Sequence, residues 1–157
     1  MAIPRGKRVV IGGTFDVLHK GHIALIEKAF ALGERVLIGV TTDDYAGMIH
    51  RRRVKEYGDR LQRLMSFLRD RGLINRADIF PIQDHFGPTL EMREIDSLVV
   101  SEESLPRARD INAKRRERGL HPLEVIIIDT VLAEDGKAIS STRIRRGEID
   151  EEGRLLR

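Results

Sequence analysis

Cysteine is absent from the 157 residues. No disulfide, thiolate ligand or cysteine nucleophile can therefore enter the chemistry, and folding has no dependence on an oxidising compartment. Tryptophan is also absent, and aromatic residues make up only 4% of the chain. No basic stretch is interleaved with rings on which bases could stack, which argues against a nucleic-acid surface. No apolar run approaches the length needed to cross a bilayer, and the basic start, Met1 to Lys7, leads straight into a short strand-like run. The cytoplasm is the expected compartment, and neither membrane nor nucleic acid is an expected partner.

What is present describes a soluble, highly charged chain, 41% hydrophobic and 34% charged. Its length suits one compact domain, read here as residues 1–157, and is too short for two well-formed cores. A formal net charge of +3 permits a nucleic-acid partner but equally suits small polyanionic substrates such as ATP.

The pattern along the chain alternates strands and helices. Arg8 to Gly13 is an apolar run closed by glycines, Lys20 to Leu32 has helical spacing, and Arg35 to Val40 is apolar again. Tyr57 to Arg71 carries Leu61, Leu64, Met65 and Leu68 at helical intervals, and Ala77 to Ile82, Ser97 to Val100 and Glu124 to Ile128 read as strands. Pro106 to Arg118 reads as a polar helix, and Thr41 to Glu56, with three arginines in a row, as a mobile basic loop. This order predicts an α/β fold with a mainly parallel sheet of about five strands and helices on both faces. Ligands bind such folds beyond the carboxyl ends of the strands.

The most informative stretch, Gly12 to His22 (GGTFDVLHKGH), sits at such a place, between the first strand and the first long helix. Gly12 and Gly13 allow a sharp turn and expose amides at a helix amino terminus that favours anions. Thr14 adds a hydroxyl donor. His19 and His22 are three residues apart, hence on one helix face, and Gly21 leaves a gap where a base or ribose could pack on the backbone. Taken singly, the glycines could be only a turn and the histidines a surface pair. With no third clustered ligand, a metal site is not expected.

These residues resemble the HxGH nucleotidyltransferases, whose signature GxFDxxHxGH is matched by Gly13, Phe15, Asp16, His19, Gly21 and His22. The resemblance implies a Rossmann-like nucleotidyltransferase fold in which the motif holds the nucleotide triphosphate. It implies catalytic roles for Thr14 and His22 at the phosphorus under attack. Gly13, Phe15, His19 and Gly21 would line the nucleotide.

A second element, Ile139 to Arg145 (ISSTRIR), lies near the carboxyl end. Its hydroxyl residues could serve only as helix caps. The stretch is also similar to the ISSTxxR element of the same superfamily, which implies that Ser140, Ser141, Thr142 and Arg143 hold the leaving phosphates. Between the motifs, Phe86 to Thr89 (FGPT) and Val99 to Ser104 (VVSEES), with the tail STRIRRGEID, resemble the archaeal and eukaryotic type of phosphopantetheine adenylyltransferase.

The implied reaction is transfer of AMP from magnesium ATP to 4′-phosphopantetheine, giving dephospho-coenzyme A and pyrophosphate. Magnesium enters with the nucleotide. Such a transfer needs alignment and charge stabilisation more than a protein nucleophile. The acceptor phosphate is expected at the basic segment Arg51 to Lys55, with Arg53 and Lys55 as the candidate residues. Asp16 would orient the acceptor, meet magnesium, or cap the following turn. Rival readings are adenylyl transfer to flavin or nicotinamide mononucleotide, cytidylyl transfer to glycerol phosphate, and a non-catalytic protein that senses nucleotides or binds RNA. An aminoacyl-tRNA synthetase fragment is excluded by the lack of a KMSKS-like partner.

Overall fold

The computed structural model describes residues 6–156, so most of the basic start lies outside the described residues. Five strands form one parallel sheet: β1 (Arg8–Gly13), β2 (Arg35–Thr41), β3 (Ala77–Ile82), β4 (Ser97–Val100) and β5 (Glu124–Ile127), in the order β3-β2-β1-β4-β5. Among the described residues five α-helices accompany them: α1 (Lys20–Leu32), α2 (Asp43–His50), α3 (Tyr57–Asp70), α4 (Leu105–Glu117) and α5 (Ser141–Arg145).

Alternation along β1 explains how the sheet is covered. Val9 and Ile11 point to one face, where Ile26, Ala29 and Phe30 of α1 and Leu64 and Leu68 of α3 pack. Val10 points to the other, against Ala108 and Ile111 of α4 together with Leu98 and Val100. Burying a side chain such as Ile26 or Leu68, neither of which is exposed, contributes about 1.5–3 kcal/mol each. The expected α/β architecture, with a parallel sheet and helices on both faces, is therefore present.

The sheet order also places the site. The chain winds from β1 outward through β2 to β3, then crosses to the far side of β1 to add β4 and β5. The two halves diverge between β1 and β4, and a crevice opens there beyond the strands' carboxyl ends.

One expectation is corrected. The stretch from Thr41 to Glu56 is not simply a loop, because residues 43–50 form α2. Thr42 accepts a hydrogen bond from the amide of Tyr45, and Asp43 and Asp44 lie in the first turn, where the helix dipole favours them. Arg51 ends the helix in the left-handed region, at φ 52°. The helix carries little apolar periodicity, with Met48 and Ile49 both exposed, so pattern reading passes over it.

Candidate active site

A cavity of about 540 Å³ fills the crevice. Gly13, Thr14, Phe15, Asp16, His19, Gly21 and His22 line it from the β1–α1 junction, and Ser140, Ser141 and Thr142 line it from the other end of the chain. The two motifs, more than a hundred residues apart in sequence, thus face one space.

The β1–α1 turn is held by its own side chains. Phe15 has φ 53°, a region uncommon for a residue with a side chain, while its ring is only 2% exposed and anchored in the core. That anchor sets the direction of its neighbours Thr14 and Asp16. A Cβ on Gly13 would meet the same ring at 3.2 Å, so the first motif glycine makes room for Phe15.

The histidines cap α1. His19 Nδ1 accepts hydrogen bonds from the amides of Gly21 and His22, and His22 Nδ1 accepts one from the amide of His19, closing a capping box made of two imidazoles. With Nδ1 occupied as an acceptor, neutral His19 carries its proton on Nε2. The rings stack with centroids 3.8 Å apart. Burial lowers the His19 pKa to about 4, and burial and the neighbouring His19 lower that of His22 to about 3, with the Val17 carbonyl and the Asp16 carboxylate opposing the shift only in part. Both imidazoles are therefore neutral hydrogen-bonding groups at neutral pH. Gly21 has a sharper role than the expected gap for a base: a Cβ there would lie 2.9 Å from His19 Cε1. The missing side chain makes room for the His19 ring.

Asp16 is a staple. It is 2% exposed, and its two oxygens accept four hydrogen bonds, two from the Arg145 guanidinium, one from Arg52 and one from the amide of Lys55. Burial alone would raise its pKa, but these donors outweigh it and hold the carboxyl well below the usual carboxylate range. None of the three readings that the sequence left open names this arrangement. It ties the β1–α1 turn to the 51–55 segment and to α5, with every acceptor position filled.

The second motif divides. Ser140 is the cap of α5, accepting from the amide of Arg143, and the Ser141 hydroxyl lies 3.4 Å from the Val17 carbonyl. Ser141 and Thr142, in the first turn of α5, line the cavity. Arg143, expected at the leaving phosphates, is turned away from the cavity. Its guanidinium binds Asp135, Glu148 and the Ala138 carbonyl, so its donors are spent on pinning α5 to residues 135–138. The arginine in the ISSTxxR spacing is Arg145, which binds Asp16 instead.

The basic segment is also redistributed. Neither Arg53 nor Lys55 lines the cavity, and Lys55 meets Asp16 only through its backbone. Arg52 and His50 do line it, with His50 Nε2 2.7 Å from the Thr14 hydroxyl. Beneath Thr14 lies Arg60 of α3, fully buried, whose guanidinium binds the carbonyls of Thr14 and Lys55 and a carboxylate oxygen of Asp43. Arg52 falls inside the basic segment expected to meet the acceptor, whereas sequence reasoning missed His50 and Arg60. Arg60 left a signal, since it stands one and two turns before Leu64 and Leu68 and puts a charge on the buried stripe of α3.

Phe80, Ile82, Phe86, Leu98, Ala108 and Ile111 give the cavity an apolar patch, beside the charged side chains of Glu103, Arg107 and Asp129. Arg107 donates to the carbonyls of His85 and Asp84 and fastens the loop that presents Phe86.

Comparison with known proteins gives the family. Residues 10–147 match the cytidylyltransferase-like family. The phosphopantetheine adenylyltransferase of Methanopyrus kandleri is 44% identical over 149 residues, covering 95% of this chain and 94% of the relative. That of Methanothermobacter thermautotrophicus is 44% identical over 151 residues, covering 95% and 89%. Among solved structures, a protein of unknown function from Archaeoglobus fulgidus superposes with a TM-score of 0.72 at 32% identity, covering 85% of this chain and 99% of that one. A pantoate-beta-alanine ligase from Francisella tularensis shares the fold, with a TM-score of 0.65 at 15% identity over 92% of this chain and 67% of that one. With the phosphate motifs gathered in one crevice and relatives matched along nearly their whole length, the chain belongs to the archaeal type of phosphopantetheine adenylyltransferase, within the cytidylyltransferase-like nucleotidyltransferases.

Proposed function

We propose that the protein transfers AMP from magnesium ATP to 4′-phosphopantetheine through the residues lining this crevice. An oxygen of the acceptor phosphate attacks the α-phosphorus in line, the bond to the β-phosphate oxygen breaks, and pyrophosphate leaves as dephospho-coenzyme A forms. The observation that carries this reading is the meeting of the two motifs across one cavity that also holds an apolar patch of Phe80, Ile82, Phe86 and Leu98. One side suits a polyphosphate, the other a long arm with few charges.

In this reading Thr14 and His22 stabilise the charge that develops on the α-phosphate. His19 and the turn at Gly13, Phe15 and Gly21 hold the nucleotide. The edge formed by Ser140, Ser141 and Thr142 receives the leaving phosphates. Neutral imidazoles suit this task, because a proton already on nitrogen can be donated to a phosphate oxygen without prior charging. Magnesium belongs to the substrate. Arg52 supplies the guanidinium nearest the acceptor phosphate, in place of Arg53 and Lys55. The pantetheine arm lies along Phe80, Ile82, Phe86 and Leu98.

The test is pyrophosphate release from magnesium ATP with 4′-phosphopantetheine, flavin mononucleotide and nicotinamide mononucleotide offered separately. Release with phosphopantetheine alone supports the reading. Release only with another acceptor refutes the acceptor, and silence with all three refutes catalysis.

A further inference from the structure

We propose that Arg60 and Thr41 form a buried donor relay that fixes the direction of the Thr14 hydroxyl, so that its proton is always presented to the cavity. The inference rests on the reading of Thr14 given above and adds two positioning residues to it. Its direction follows from which groups can donate. An arginine guanidinium donates only, so Arg60 Nη1, 3.4 Å from Thr41 Oγ1, makes that oxygen an acceptor. Thr41 gives its single proton to Thr14 Oγ1 at 3.0 Å. With one lone pair occupied in this way, the Thr14 proton must point elsewhere, and the open direction is toward the cavity, where His50 Nε2 lies 2.7 Å away.

Burial makes the relay rigid. Arg60 has no exposure and Thr41 only 1%. Arg60 Nη1 also holds the Thr14 carbonyl at 2.9 Å, so one guanidinium fixes both the backbone and, through Thr41, the hydroxyl of the same residue. Thr41 is the last residue of β2, which pairs with β1, so the sheet itself sets its distance from the β1–α1 turn. His50 occupies the position that a phosphate oxygen would take. It accepts the proton in the free protein, and burial together with the Arg52 charge keeps it neutral for that role. An incoming phosphate displaces it without any rotation of Thr14. Chained hydrogen bonds that begin at a cation also polarise one another, which strengthens the last donor.

Thr41→Val keeps the shape and removes the donor. Steady-state rates of pyrophosphate release are expected to fall about tenfold in kcat, the size of one net hydrogen bond, with KM for ATP and for phosphopantetheine within twofold. Thr41→Ser, which restores a hydroxyl, should recover most of the loss. Thr14→Val should reduce kcat at least as much, and the Thr14→Val, Thr41→Val double variant should be no slower than Thr14→Val alone, because a relay has nothing left to orient. Multiplying losses in the double variant, or unchanged kcat in Thr41→Val beside an impaired Thr14→Val, would overturn the relay while leaving the role of Thr14 intact. Normal turnover in Thr14→Val would overturn both. Thermal melts of each variant separate these outcomes from a failure to fold.

Discussion

Replacing Asp16 with asparagine tests the staple directly. Each carboxylate oxygen accepts two hydrogen bonds: Oδ1 from Arg145 and the Lys55 amide, Oδ2 from Arg145 and Arg52. Asparagine keeps one of these oxygens and places an NH2 group at the other, so whichever way it turns, two donors face a donor. Charge-assisted hydrogen bonds contribute about 1.5–3 kcal/mol each. The lower value applies here, because Arg52 and Arg145 are 24% and 34% exposed and recover part of their hydration. The expected loss is then about 3 kcal/mol, or roughly 6–12 °C in melting temperature for a chain of this length. Urea unfolding at pH 7.5 and pH 3 adds a second check. The folded carboxyl has a pKa well below the unfolded value of 3.8, so its contribution is complete above that value and declines as pH falls through it. The gap between wild type and variant should therefore be constant from pH 8 to about 5 and narrow at pH 3. An unchanged melting temperature with abolished turnover would refute the staple and return Asp16 to the substrate.

Four further outcomes are expected. His22→Ala should lower kcat by about a hundredfold or more while far-UV circular dichroism keeps the wild-type shape, and near-normal turnover would remove His22 from the reaction. Gly21→Ala should displace the His19 ring and weaken nucleotide binding, seen as a raised KM for ATP, whereas a wild-type KM would show that the ring position is unimportant. His19 and His22 have folded pKa values of about 4 and 3 against 6.5 unfolded, so the unfolded chain binds more protons between these limits. Stability should thus fall as pH drops below 6.5, and a His19→Asn, His22→Asn variant should show a flatter urea midpoint between pH 7.5 and 5. Arg143→Ala should leave the KM for ATP within about twofold while lowering the melting temperature, and a large rise in KM would restore Arg143 to the phosphates.

Much of the fold was legible because its signals are local. The apolar runs of β1 and β2 and the spacing of Ile26, Ala29 and Phe30 or Leu64 and Leu68 follow the periods that a buried face imposes. Glycine, hydroxyl and histidine at the β1–α1 junction marked the cavity edge for the same reason, since such a turn is built from consecutive residues. The helix at residues 43–50 escaped because its evidence lies in caps and acidic first-turn residues while its apolar pattern is poor.

Long-range pairing was beyond that reach. Which of several arginines enters the crevice depends on which carboxylates lie within reach after folding. Arg143 is taken by Asp135 and Glu148, Arg145 and Arg52 by Asp16, and Arg60 by the carbonyls of Thr14 and Lys55. Side chains of one charge are alike in sequence, and the folded chain distinguishes them: Arg143 finds partners nearby along the chain, whereas Arg52, Arg60 and Arg145 meet theirs only once β1, the end of β2 and α5 are together. The sequence alone determined the alternating elements, the glycine- and histidine-bearing turn between β1 and α1, and the family. The tertiary structure decided the use of each charge, because an ion pair is chosen by distance and desolvation, and neither exists until the chain is folded.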